Sequence, residues 1–533
     1  MITRLTAARG FFTLAALAAA VHGAPASAED RAAARAAFAD ARKLFASDIT
    51  ASVAGLRRAI ELDPDYYEAH QYYVLYAGVA ATRTGTDEEK KAAGEKSRAD
   101  LQAWYEGRLA AEPRRAAPRY ALGKLFMYSD PDRSRRLFEE AAAIDPACGD
   151  AFDSLAIHAE IRGDLELSRR FFRRAVDADP EGVTFWRHHV AAQLGIGMDA
   201  ALAAGLEMAR RFPDEAASII GYLASRARTE DQALRVHELL RERFRKASAR
   251  SLTGLFAIYQ RRDPARALAL AEEMRNDFSE VKDWVVLAEY ARAVAGLEPA
   301  LREGRGAEAL AALEKIVLPR YGADRRFLDL ALARARSAVG RGEEAYAGLL
   351  AAVSMRPTDE TRAALDGQGR LLGKSTAAVA AELAADRARR ARPAEDFTLT
   401  NLATGKPVSL ADYRGRVVMV NFWYPLCGPC RGEFPFLQAV LEKYRARGFE
   451  ILAINGHAPE EHMVLPLLQG WGLGFLPLRG TDDVVKAYKV RGYPMNILVG
   501  PDGKSFYEPP PVSTLAAQHE LELQIEALLP TRG

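Results

Sequence analysis

Cysteine is almost missing from this chain of 533 residues, in which only three occur. Three thiols exclude a disulfide-stapled scaffold and a four-thiolate zinc centre. An excess of one charge is missing as well. Lys plus Arg number 73 against 71 Asp plus Glu, a formal balance of +2. No global field therefore draws the chain to nucleic acid or to an anionic membrane, and no nucleic-acid partner is expected. Beyond the first residues no apolar run reaches eighteen, too short for a membrane-spanning helix. What is present is ordinary for a globular protein: 49% hydrophobic and 27% charged residues, at a length that suits several domains.

Met1 to Ala28 reads as a secretory signal peptide. Arg4 and Arg9 charge its start, Phe11 to Val21 is a short apolar run, and Ala26-Ser27-Ala28 is a small-residue cleavage pattern. The expected location is periplasmic or otherwise extracytoplasmic, where thiols oxidise unless kept reduced. Residues 29–385 are rich in Ala, Leu, Arg and Glu, and apolar positions such as Leu165, Phe171, Phe172, Ala175 and Val176 return every three or four residues, predicting helices. Pro113, Pro146, Pro180 and Pro213 follow amphipathic stretches at intervals of 33, 34 and 33 residues, and proline stops a helix because it lacks the amide donor. "GRGAEAL" from Gly304 and "GRGEEAY" from Gly340 place glycine where paired helices turn. This pattern resembles the tetratricopeptide repeat, with its period of about 34 residues. The resemblance implies an all-α solenoid that holds a protein partner, or else a spacer. In the same region Cys148 reads as a small packed residue, and "GKST" at Gly373 lacks the upstream glycine and strand of a phosphate loop.

After a charged linker, residues 386–395, the texture changes. Val417 to Trp423 predicts a buried strand, Gly428 to Arg447 a helix and Glu450 to Asn455 a second strand. Helices over Glu460 to Trp471 and Asp482 to Tyr488, strands near Phe475 to Leu478 and at Met495 to Val499, a turn at Pro501 to Lys504 and a last helix over Thr514 to Leu529 complete an α/β domain, residues 396–533.

Cys427-Gly428-Pro429-Cys430 stands where the first strand hands over to a helix. Two cysteines three apart across the first helical turn can close a small disulfide. Cys427 falls at the helix N-terminus, where unpaired amides and the macrodipole stabilise an anion. Lowering a thiol pKa from about 8.5 to about 7 requires about 2 kcal/mol. A helix terminus supplies ~0.3–1 and at most ~2 kcal/mol, so amide hydrogen bonds to the sulfur have to add to it. Cys427 is thus the expected attacking thiolate and Cys430 the resolving thiol. Two cysteines are half a zinc site, and His457 and His462 lack ligand-like context. No metal or cofactor is expected.

The segment from Glu395 to Leu437, with "GKPVSL" and CGPC, and "VRGYPMNILVGPDGK" from Val490 to Lys504 resemble the thioredoxin-like thiol-disulfide oxidoreductases of the TlpA/ResA type. The resemblance implies an exported enzyme that mostly acts as a reductant of disulfide-bearing clients, in cytochrome c or copper-centre assembly, supplied by a DsbD- or CcdA-like membrane donor. It implies that Pro494 is the cis-proline facing the cysteine pair, with Tyr493 beside it at the substrate groove. It also implies that Glu433 helps proton transfer, Asn421 standing where thioredoxins carry a buried Asp, and that Pro435 kinks the active-site helix. Leu426 before the first cysteine, where the family usually has Trp, and Tyr493 depart from its pattern. Two readings stay open: a peroxiredoxin-like peroxidase, which wants Thr where Tyr424 stands, and a non-catalytic adaptor with a degenerate redox domain.

Overall fold

The computed structural model describes residues 25–319, 323–509, 512 and 515–529. The signal-peptide reading falls mainly on residues 1–24, outside the described residues. Ser27, at the expected cleavage pattern, caps the first described helix, Ala28–Leu44. Among the described residues twenty helices lie between Ala28 and Arg390, and an α/β domain follows. The chain divides after Gly195 into two compact units.

The first unit is all-helical. Four of its helices end at Asp63, Glu112, Asp145 and Asp179, each followed by proline. The same turn closes each one: the carbonyl of that last residue accepts from the amide three residues on, at Tyr66, Arg115, Cys148 and Gly182, over 3.0–3.1 Å. Proline therefore stops these helices as expected. Cys148 occupies one of these recurring turns and is buried, with its thiol pushed up by burial, so packing accounts for it. Asp48, Asp130 and Asp164 cap the starts of three of these same helices with their side chains.

The second unit continues with helices and ends in the sheet. Pro213 does not end a helix here. It opens the helix Pro213–Ala224, where its missing amide is no loss. Gly304 and Gly340 adopt φ of 75° and 82°, a left-handed conformation at which glycine carries no steric cost. Within "GKST", Ser375 caps the helix Thr376–Arg390 and Lys374 pairs with Glu382 at 2.7 Å, so the motif is a helix start.

The stretch read as a linker has no slack. The helix Thr376–Arg390 runs almost directly into strand β1 (Arg392–Pro393), which pairs with β8 (Lys504–Tyr507). The remaining strands are β2 (Thr398–Thr400), β3 (Pro407–Ser409), β4 (Val417–Trp423), β5 (Phe449–Asn455), β6 (Leu476–Arg479) and β7 (Met495–Val499). The main sheet has the order β1-β8-β7-β4-β5-β6. β4, β5 and β6 run parallel, while β7, β8 and β1 are antiparallel to their neighbours. β2 and β3 form a separate hairpin. β4 lies at the centre with all seven residues buried, as a mostly apolar run in the middle of a sheet should be. Gly503, at φ 74°, makes the turn into β8.

Candidate active site

Strand β4 ends at Trp423, and Tyr424-Pro425-Leu426 carries the chain to the helix Gly428–Tyr444, with Cys427 as its N-cap. Serine or aspartate usually caps this way. Here the Cys427 sulfur accepts from the Cys430 amide at 3.1 Å. Pro429 in the first turn removes an amide that no helix bond needs. Cys427 and Cys430 are joined in a disulfide, with Cα atoms 5.2 Å apart. Cys430 is fully buried and Cys427 is 3% exposed, so of the two only the first reaches the surface at all. Pro435 lies inside the helix.

Glu433, one turn beyond Cys430, is fully buried. Its carboxylate accepts from Asn421 Nδ2 at 3.0 Å, from Asn496 Nδ2 at 3.1 Å and from the Val512 amide at 3.0 Å. Asn421 also donates to Asn496 Oδ1 at 2.6 Å, and its own Oδ1 has no partner. Burial raises the Glu433 pKa to about 7, against the three hydrogen bonds and the Arg226 charge, which lower it. The two asparagines meet because β4 and β7 pair with Asn421 opposite Asn496. Each is the lone polar residue of its strand, a signal the sequence carried and that the reading used for Asn421 alone.

The Tyr493–Pro494 peptide is cis. Since Phe422 pairs with Met495, Pro494 continues β7 alongside Trp423, near the strand end that feeds Cys427. Tyr493 is half-buried, donates to the Gly456 carbonyl at 3.1 Å and meets the Tyr424 ring edge-on with centroids 5.2 Å apart. A further residue holds the loop before Cys427. Glu460 is buried and accepts from the Leu426 amide at 2.7 Å, and its other oxygen lies 3.1 Å from His457 Nδ1. Glu460 has no sequence signal, since it reads as an ordinary first-turn glutamate.

A Cβ on Gly456 would overlap the Tyr493 ring and hydroxyl. Gly456→Ala is therefore expected to destabilise the domain by about 1–3 kcal/mol, the usual cost of overpacking. Tyr493→Ala should remove that penalty in a double-mutant cycle followed by chemical denaturation. Equal effects of Gly456→Ala in both backgrounds would show that the ring imposes no such constraint.

A model of the AhpC/TSA family matches residues 391–505. Thiol-disulfide oxidoreductase ResA of Geobacillus thermodenitrificans is 37% identical over 112 residues, covering 21% of this chain and 63% of that protein. ResA of Bacillus thuringiensis subsp. konkukian is 30% identical over 118 residues, covering 22% and 67%. The thioredoxin domain of a thiol-disulfide oxidoreductase from Bacteroides vulgatus matches at 26% identity and a TM-score of 0.23, covering 26% of this chain and 96% of that structure. The chain thus spans slightly under two thirds of the first relative.

Proposed function

The C-terminal domain of this chain belongs to the thioredoxin-like AhpC/TSA family as a ResA-type thiol-disulfide oxidoreductase domain, and from that premise we propose that the whole protein reduces disulfides of extracytoplasmic client proteins. The observation that carries this reading is the buried cysteine pair whose first sulfur caps a helix and takes an amide hydrogen bond. In the reduced protein the same amide and helix terminus favour the Cys427 thiolate.

The exchange balances in two steps. The Cys427 thiolate attacks one sulfur of a client disulfide, a mixed disulfide forms, and the other client sulfur leaves as a thiolate. Cys430 then attacks Cys427, giving the Cys427–Cys430 disulfide and releasing the second client sulfur. Two electrons pass to the client, and the Cys430 proton goes to the Glu433 carboxylate or to a leaving thiolate. Tyr493 and Pro494 border the place where an extended client segment lies. A membrane thiol donor of the DsbD or CcdA kind restores the dithiol, and the tetratricopeptide-like helical region recruits the client or partner. The signal-like N-terminus supports the extracytoplasmic location.

The test mixes the dithiol form of the full chain with insulin. With the dithiol in at least fourfold excess, each free insulin B chain should appear with two oxidised Cys427–Cys430 pairs, one for each interchain disulfide, and with a third where the intrachain disulfide is reduced too. Oxidation of the pair without B-chain release would refute disulfide reduction.

A further inference from the structure

Gly432 sits inside the active-site helix, where glycine costs about 1 kcal/mol relative to alanine. Its backbone is not left-handed, so conformation does not call for glycine. Space does: a Cβ there would overlap the guanidinium of Arg226. Arg226 follows the helix Pro213–Ala224 of the helical region, far from the site in sequence and within the same compact unit. Its guanidinium carbon lies 4.8 Å from the Tyr222 ring centroid, and its Nε and Nη1 are buried without a hydrogen-bond partner. A second contact, His519 Nε2 at 3.5 Å from Asp359, joins the last helix of the α/β domain to the helical region.

A guanidinium normally brings five donors to acceptors. One left with buried unpaired nitrogens, against a helix that has given up a side chain to admit it, acts mainly as a fixed charge. The next residue on that helix is Glu433. We infer that Arg226 is a positioning residue supplied by the helical region to the redox site, seated on Gly432 so that its charge sets the protonation of Glu433. The helical region then completes the active site in addition to any recruiting role. The inference rests on the proton-relay reading of Glu433 for its effect on turnover, and not for the contact itself.

Groups facing Glu433 are Asn421 on β4, Asn496 on β7, the Val512 amide and Arg226. Arg431, two residues earlier on the same helix, stays unchanged in every variant. The test titrates the Asn421 side-chain amide by NMR in the oxidised full chain, where neither cysteine titrates. Arg226→Gln should move the Glu433 midpoint up by about half to one pH unit. Gly432→Ala should do the same, because its methyl displaces a flexible side-chain end while the charge stays in the chain. Arg226→Lys should restore part of the shift. In turnover, Arg226→Gln should be several-fold slower at pH 7 and equal to the parent at pH 9.

Superimposable amide titrations for the parent, Arg226→Gln and Gly432→Ala would overturn the inference. If the midpoints shift while turnover does not, the contact stands and the relay reading of Glu433 fails.

Discussion

A Cys430→Ser variant of the full chain is expected to arrest on its clients as mixed disulfides through Cys427, whereas Cys427→Ser should lose disulfide reduction by about three orders of magnitude or more. The asymmetry follows from position. Cys427 has the small residual exposure and the amide hydrogen bond, and Cys430 lies one turn inward with no exposure. Neither variant should fail by unfolding. Serine is among the best N-caps, so Cys427→Ser keeps an acceptor for the Cys430 amide. A buried serine at position 430 can donate to a helix carbonyl one turn back. Losing so short a disulfide loop costs about 2 kcal/mol in chain entropy. The measurement is non-reducing electrophoresis with mass spectrometry of the captured species. Mixed disulfides that form equally on Cys427→Ser through Cys430 would reverse the assigned roles, and a reactive Cys427 that captures nothing would end them.

Much of this site was legible because its parts are local. "VVMVNFW" became the central strand at its predicted bounds, and Met495 to Val499 did likewise, since short and mostly apolar runs suit a strand covered on both faces. The cysteine spacing and the N-cap needed only neighbours. β1 was hidden because two residues beside an arginine-rich helix end carry no alternation, and pairing with β8 alone makes them a strand. The partners of Glu433 were hidden for a related reason. Asn421 and Asn496 meet through sheet register, Val512 through the approach to the last helix, and Arg226 through packing of the helical region. No local periodicity encodes such meetings. A polar residue standing alone in each of two buried strands was the available clue, because buried amides need partners.

Glu433→Gln is the substitution expected to separate chemistry from folding most clearly. The parent carboxyl, with its pKa raised to about 7, is present in both protonation states at neutral pH. It lies one turn from Cys430 on the same helix face, where side chains three apart are neighbours. A glutamine there cannot take or return a proton, so turnover at pH 7 should fall by about 10²-fold, the lower range for general acid–base loss. The remaining rate should lose its inflection between pH 6 and 8. Stability should move the other way. The folded parent holds a proton that an unfolded glutamate, with pKa about 4.3, has released. Its stability is therefore full below about pH 4.3 and falls as pH rises through 7, by about 4 kcal/mol in all. Glutamine removes that slope, and the unpartnered Asn421 Oδ1 can meet its amide if the asparagine turns over. The variant should then match the parent near pH 4.5 and exceed it at pH 8 in thermal unfolding of the oxidised chain. Parallel pH dependences for the two proteins would mean that the carboxyl keeps an ordinary proton affinity, and the relay would have to be sought elsewhere in the site.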